Sequence, residues 1–276
     1  MSNRLLQLCL GILFSTHLCA DPLFDAHLHY NSNDSLQFSP QKIIRILERN
    51  NIHHAVVTST PASLSLTLHR YASQNSRIQI IPLLGAYRTH TDKISWVNDA
   101  ELPNRIEAEL KTGHWRGIGE LHIFAKDRHS PVFHRIVDLA TKYQLPLLIH
   151  GDPAVIDTLY EISPEQPVAW AHAGTYPYPD IIDDYLQRYP ALMVDLSVRD
   201  DRIAPNGQIL DEWYELFLKH SGRFIVGVDT FSTSRWYNLD VVIKKIHNWL
   251  DQLPTDVTAK LRTHNAKRLF YKQVSP

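Results

Sequence analysis

The sequence predicts an α/β protein of the (β/α)8 TIM barrel class, folded as a single domain. Eight short runs rich in aliphatic and β-branched residues alternate with amphipathic stretches, as expected of successive βαβ units. About 256 of the 276 residues remain after an N-terminal leader, which is the usual size of one such barrel. Potential metal ligands end several of the β-rich runs, where a barrel gathers its functional groups.

The first 20 residues have the pattern of a secretory signal peptide. Arg4 precedes a short apolar stretch, and Ala20 lies at a suitable cleavage position. We therefore predict a leader over 1–20, a mature barrel over 21–276, and a periplasmic or secreted location. The alternatives are an N-terminal helix of the fold and, less compatible with Leu18, a lipoprotein site at Cys19. The apolar stretch is too short to span a bilayer, so stable membrane insertion after cleavage is not expected.

Cysteine use and charge limit the chemistry and the partners. Both cysteines, Cys9 and Cys19, lie in the leader, so the mature chain is expected to lack disulfides and thiolate ligands. Any metal must then be held by nitrogen and oxygen. The formal net charge is −1, with acidic and basic residues interspersed. This pattern favours a small-molecule substrate and gives no indication of a nucleic-acid partner, while the oligomeric state stays open.

The strands and helices can be placed in order along the chain. The predicted strands cover 23–29, 55–59, 78–84, 117–123, 145–150, 168–172, 192–196 and 224–229. Ser39-Pro40 and Ser130-Pro131 are helix start signals. The predicted helices lie near 42–48, 62–74, 102–111, 132–140, 153–160, 180–188, 210–219, 239–250 and 255–269. The polar stretch 87–101 is predicted to be an enlarged loop and a candidate substrate lid.

Two histidines end the first predicted strand. His27 and His29 are two residues apart, so both imidazoles point to the same face of a strand. The pair alone is a weak signal, because 16 histidines in 276 residues give roughly one His-x-His by chance. The pair becomes informative because later predicted strands also end in potential metal ligands.

Three later strands end in further potential ligands, His150, His172 and Asp229. The C-terminal ends of barrel strands meet at one mouth, so all three are expected near His27 and His29. The alternative for each position taken singly is a surface histidine or a helix-capping aspartate.

The fourth strand offers Glu120 and His122, which share one face. We predict Glu120 as the ligand, because a cation removes the cost of burying its carboxylate and the carboxylate can bridge two cations. His122 is an alternative ligand, a substrate contact or a buried histidine.

Imidazoles and carboxylates without thiolates favour Zn²⁺, with Mn²⁺, Fe²⁺ or Co²⁺ as alternatives. A catalytic cation lowers the pKa of water towards about 7. Asp229 is then suited to ligation and to accepting the proton of the attacking water, which makes it the predicted catalytic residue.

The motifs at 25–29, 147–150, 172–174, 227–230 and 265–270 together resemble the amidohydrolase superfamily, specifically its amidohydrolase-2-like branch. The resemblance implies metal binding by His27, His29 and Asp229, and it matches the histidines of strands five and six to His150 and His172. Glu120 resembles the bridging glutamate of TatD-type members. Other members have a carboxylated lysine or nothing there, so one ion or two stays open.

Residues after the strands are candidates for binding substrate. Arg199 and Arg235 follow strands seven and eight and are suited to clamp a carboxylate or phosphate, the alternative being solvated loop arginines. Tyr176 and His122 are further candidates.

Three functions fit these features. The first is a metal-dependent hydrolase that cleaves an amide, lactone or other ester bond of a small molecule. The second is a metal-dependent, non-oxidative decarboxylase of a small carboxylic acid. The third is a non-catalytic, exported metal-binding protein.

Overall fold

Eight parallel strands form the centre of the protein. The computed structural model describes residues 22–271, so the predicted leader lies outside the described residues. The strands β1 to β8 are Leu23–His29, Ile52–Thr58, Gln79–Pro82, Ile118–Ile123, Leu147–Gly151, Val168–Trp170, Leu192–Asp195 and Phe224–Ile225. Their order along the chain is also their order in space, from β1 to β3 and from β4 to β8.

Backbone hydrogen bonds close the two sheets into a barrel. Leu84, just after β3, pairs in parallel with Ile118 of β4. At the other seam the Ala26 N–H donates to Val226 O (2.8 Å), and the Asp229 N–H donates to His27 O (2.7 Å). The predicted (β/α)8 class is therefore confirmed.

Helices follow the strands on the outside of the barrel. They are Ser32–Gln37, Pro40–Arg49, Ser63–Asn75, Leu102–Leu110, Pro131–Lys142, Pro153–Ile162, Pro179–Arg188, Asp200–Ile203, Asp211–Lys219, Thr233–Tyr237, Leu239–Leu250, Thr255–Ala259 and Asn265–Phe270. The last two are joined by a π-helical turn, Lys260–His264, and lie within the single helix predicted at 255–269. Three short helices after β1, β7 and β8 were not predicted from the sequence. Within residues 22–271, no helix is long and apolar enough to cross a membrane.

Side chains alternate between the inside and the outside of β1 until a shift in register. Phe24 and Ala26 belong to the apolar cluster that also contains Leu148 and Ala169, whereas Leu28 packs in the larger outer core. The pairing of β1 with β2 shifts between Asp25 and Leu28. An irregularity of this kind re-aims the residues that follow it. Beyond it the chain presents histidines instead of further apolar residues to the barrel mouth.

Two of the strands that end earlier than predicted, β6 and β8, stop before the ligand residues expected at their ends. β6 stops at Trp170, and His172 lies in a 3₁₀ turn, Ala171–Ala173, with φ of 59°. β8 stops at Ile225, and Asp229 has φ of 56°. Both residues adopt left-handed backbone conformations that are uncommon outside glycine and often occur at functional sites.

The predicted enlarged loop after β3 is folded onto the barrel. It contains two 3₁₀ turns, His90–Ile94 and Trp96–Asn98. Trp96 is buried, and its indole N–H donates to the His122 carbonyl of β4 (2.8 Å). The loop therefore has a defined position beside the mouth.

Candidate metal centre

The two histidines of β1 lie side by side, as predicted. Their Nε2 atoms are 3.3 Å apart. His27 is fully buried and His29 nearly so. Two ring nitrogens in this arrangement present adjacent donor atoms to the barrel mouth.

Asp229 completes a group of three with this pair. Its Oδ1 is 3.2 Å from His29 Nε2 and 3.8 Å from His27 Nε2. This oxygen is buried, and within residues 22–271 no group meets it in hydrogen-bond geometry. A buried carboxylate oxygen without a donor is costly unless a positive charge faces it.

Glu120 joins the β1 pair to the remaining predicted histidines. Its Oε1 faces His150 Nδ1 at 2.9 Å and His172 Nε2 at 3.2 Å. Its Oε2 is 3.4 Å from His29 Nε2 and 3.7 Å from His27 Nε2. The structure thus brings the six predicted ligand residues together, with Glu120 between the two sets.

Among the described residues, three groups of ligand atoms are close enough to hold an ion, since the atoms of each lie within 4.8 Å of one another. They are His27–His29–Asp229, His27–Glu120–His172 and Glu120–His122–His150. His122 therefore stays open as an alternative donor, with its Nε2 3.6 Å from Glu120 Oε2.

The electrostatics of the cluster favour positive charge at its centre. Burial opposes protonation of His27, but the carboxylates of Asp229, Glu120 and Asp195 outweigh burial and raise its pKa well above the usual value. Burial likewise opposes ionisation of Asp229, yet the charge of His27 lowers the pKa of this carboxyl to about 2. A bound cation would balance the negative charge of the same carboxylates, so the residues present fit a divalent metal.

Asp195 and Ser197 hold two of the histidines from behind. The carboxylate Oδ2 of Asp195 is 2.8 Å from His27 Nδ1 and accepts the Ser197 hydroxyl at 2.6 Å. The Ser197 hydroxyl also lies 2.9 Å from His172 Nδ1. These contacts direct the Nε2 atoms of His27 and His172 towards the cluster. Neither residue was predicted from the sequence, although both lie at the end of β7, and barrels place functional groups at strand ends.

Close packing of β8 on β1 fixes the His27 side of the cluster. Asp25 Oδ1 accepts the backbone N–H groups of His27 and Val228, both at 3.1 Å. A Cβ on Gly227 would lie 2.7 Å from the Cβ of His27 and 3.0 Å from Asp195 Oδ1. Only glycine fits there without displacing the histidine.

A cavity of about 380 Å³ opens over the cluster. Of the four candidates for binding substrate, His122 and Arg199 line this cavity, whereas Arg235 and Tyr176 do not. Arg235 donates to the carbonyls of Asp229 and Val228, both at 2.7 Å, so it supports the backbone that carries Asp229. Tyr176 is 53% exposed.

The family of the chain follows from a comparison with protein-family models. The model of the TatD-related DNases matches residues 24–175, more than half of the chain, from the second residue of β1 to beyond the end of β6. The chain belongs to the TatD-related DNase family. A comparison with curated proteins gave no significant match.

Solved structures share the fold of this TatD-related protein at low identity. A TatD homologue from Escherichia coli has 13% identity and a TM-score of 0.62, covering 90% of this chain and 97% of its own. An amidohydrolase from Burkholderia multivorans, solved with bound zinc, has 13% identity and a TM-score of 0.59, covering 90% and 99%. A protein from Acinetobacter baumannii, described as a probable 2-pyrone-4,6-dicarboxylic acid hydrolase, has 16% identity and a TM-score of 0.58, covering 90% and 98%.

The resemblance to the amidohydrolase superfamily is therefore confirmed, and the family model that matches is that of its TatD-type members. With its buried cluster of histidines and carboxylates, this TatD-related protein is a metal-dependent hydrolase.

Proposed function

We propose that this hydrolase cleaves an ester, lactone or amide bond of a small molecule outside the cytoplasm. The observation that carries the proposal is the convergence of six ligand-type side chains beneath a cavity of about 380 Å³. A cavity of this size suits a small ligand. The N-terminal leader pattern supports a periplasmic or secreted location, which fractionation of cells expressing the full chain would test.

The proposed ligand set uses the two sides of Glu120. His27, His29 and Asp229 would hold one ion, and His150 and His172 would hold a second, with Glu120 shared between them. Nitrogen and oxygen donors without thiolates favour Zn²⁺. When bound, the metal supplies polarisation of the scissile bond and acidification of water.

Asp229 is the proposed proton carrier. Its Oδ1 lies 3.2 Å from His29 Nε2 but meets no group of residues 22–271 in hydrogen-bond geometry. Because its pKa lies near 2, the carboxylate is ionised at neutral pH and can accept a proton from the attacking water. The same oxygen can then return the proton to the leaving group. The Arg235 contacts with the neighbouring carbonyls keep this carboxylate in place.

Isotope-labelled water tests the reaction class. Hydrolysis places one labelled oxygen in the product of an ester, lactone or amide. The alternative prediction, decarboxylation, releases CO₂ and leaves the remaining product unlabelled. Release of unlabelled product with CO₂ would contradict the proposal.

A second candidate function is hydrolysis of a DNA phosphodiester, which the family match favours. The two candidates separate in one assay. The purified protein, loaded with zinc or manganese, is incubated with single-stranded DNA and with a panel of small esters, lactones and amides. We expect the protein to hydrolyse a small substrate at least a hundredfold faster than it hydrolyses the DNA. The reverse ratio would assign DNA as the substrate.

A further inference from the structure

The loop after β3 places a cation at the mouth of the cavity, 6.0 Å from the centre of the Tyr87 ring. Lys93 lies in the 3₁₀ turn His90–Ile94 and lines the cavity. Its Nζ is 3.5 Å from His122 Nε2. Within residues 22–271 no carboxylate lies within 4.0 Å of it. Asp92, next to it in sequence, instead accepts the backbone N–H groups of Arg88 and Thr89.

Two hydrogen bonds to β4 fix the position of the loop that carries Lys93. The Trp96 indole fixes the same loop to the His122 carbonyl. The Tyr87 hydroxyl, at the start of the loop, accepts the His122 backbone N–H at 2.6 Å. Two anchors on one β4 residue therefore hold the loop that carries Lys93.

A second cation lines the same cavity. Arg199 uses Nε and one Nη to bind the carbonyls of His172 (2.6 Å) and Gly174 (3.2 Å), which fixes its orientation after β7. Within residues 22–271 the acidic side chains that line the cavity are Glu120 and Asp229, and both face the histidine cluster. The outer part of the cavity thus has positive charge without a matching negative charge.

We infer that Lys93, together with Arg199, binds an anionic group of the substrate, a carboxylate or a phosphoryl group. A cation at the edge of a partly enclosed site attracts and orients an anion through a charge-assisted hydrogen bond. His122 links the two regions, because its ring lies 3.5 Å from Lys93 and 3.6 Å from Glu120. The bound anionic group is therefore separated from the cluster by the His122 side chain. In the substrate, this group lies close to the bond that is cleaved.

This inference rests on the proposed function, because it assumes that the bound anion is part of a substrate. Anion binding itself can be measured without turnover. Isothermal titration calorimetry is carried out with succinate and with inorganic phosphate on the zinc-loaded protein. Lys93→Met is compared with Lys93→Arg and with Lys219→Met, which removes a lysine that pairs with Asp183 on another face. We expect Lys93→Met to weaken binding of the preferred anion about tenfold or more, and Lys93→Arg and Lys219→Met to stay within about threefold of wild type.

The two anions distinguish a carboxylate from a phosphoryl group. A larger loss of affinity for succinate in Lys93→Met indicates carboxylate recognition, and a larger loss for inorganic phosphate indicates phosphoryl recognition. Equal affinity of wild type and Lys93→Met for both anions would overturn the inference, as would no binding to wild type. Zinc content and melting temperature are measured for each variant. If Lys93→Met loses zinc or stability, Lys93→Gln takes its place and the same criterion applies.

A kinetic comparison separates this inference from the proposed function. Two esters are compared that differ at one end only. The half-ester mono-para-nitrophenyl succinate ends in a carboxylate, and para-nitrophenyl butyrate ends in a methyl group. Wild type is expected to prefer the half-ester at least tenfold in kcat/KM, and Lys93→Met to lose that preference mainly through KM. Hydrolysis of neither ester would count against ester hydrolysis, while the calorimetry still decides the role of Lys93.

Discussion

At the residue scale, the chemistry depends on Asp229, whose buried Oδ1 faces the β1 histidines without a hydrogen bond. Replacement by asparagine keeps the shape and removes the proton acceptor. Asp229→Asn is therefore expected to lower kcat about a hundredfold or more while retaining most of the metal. The measurement is steady-state kinetics together with elemental analysis of the same sample.

Asp201→Asn is the matched control for that substitution. Asp201 lies in the short helix after β7, is exposed and pairs with Lys245. Its replacement should leave kcat within about twofold of wild type. Activity of Asp229→Asn at the level of this control would remove Asp229 from the proton-transfer role.

Asp195 gives a second prediction at this scale, because it acts through His27. Its carboxylate fixes the ring by its contact with Nδ1 at 2.8 Å. Asp195→Asn is expected to weaken metal binding about 10- to 100-fold, measured by competition with a chelator. Asp157→Asn is the control, since Asp157 accepts comparable hydrogen bonds from Tyr185 and Tyr189 far from the cluster. Equal metal affinity of the two variants would show that Asp195 does not position the ligand.

Sequence reasoning placed the ligand side chains more reliably than the residues that support them. His27, His29, Glu120, His150, His172 and Asp229 were placed together because strands of a barrel end at one mouth. Asp195 and Ser197 also lie at a strand end, but aspartate and serine are common there and their partners His27 and His172 are distant in sequence. Lys93 lies within a loop and has no strand-end signal. Arg235 illustrates the converse, because nothing in its sequence context distinguishes a substrate contact from a backbone contact.

At the element scale, the last helix holds the start of β8 through Asn265. Asn265 is fully buried and donates from its side chain to the carbonyls of Ser221 and Phe224, both at 2.8 Å. Asn265→Ala leaves both carbonyls without this donor and is expected to lower the free energy of unfolding by about 1–3 kcal/mol. Denaturant unfolding measures the change.

Asn75→Ala is the control for this element. Asn75 ends the helix Ser63–Asn75, is exposed and donates to Tyr71 O. Its replacement is expected to change the free energy of unfolding by less than about 0.5 kcal/mol. If the two variants are equally stable, the last helix does not hold the start of β8 through Asn265.

The pattern of elements was predictable because hydrophobic periodicity repeats over many residues. The helix Leu239–Leu250 has the predicted bounds, and β1 matches as well. The ends of β6 and β8 were predicted two and four residues too late, and the φ values near 60° at His172 and Asp229 beyond these strands have no local signal in the sequence. The short helices after β1, β7 and β8 have too few residues to show a period.

At the scale of the whole molecule, the buried carboxylates and histidines couple metal binding to folding. A ligand bound only by the folded state stabilises it by about 2.7 kcal/mol at a hundred times its Kd. For a chain of this size, that corresponds to a rise in Tm of about 5 to 10 °C. Calorimetric scans of chelator-treated protein, with and without added zinc, measure this shift. Equal melting temperatures would contradict the coupling.

The most direct test of the metal centre is the metal content of the freshly purified protein. Inductively coupled plasma mass spectrometry is applied to wild type and to the double variant His27→Ala/His29→Ala, both grown with added zinc. We predict one or two divalent ions per chain in wild type, mainly zinc, and less than about a tenth of that in the variant. A wild type without bound divalent metal, or a variant that retains as much as wild type, would contradict the account.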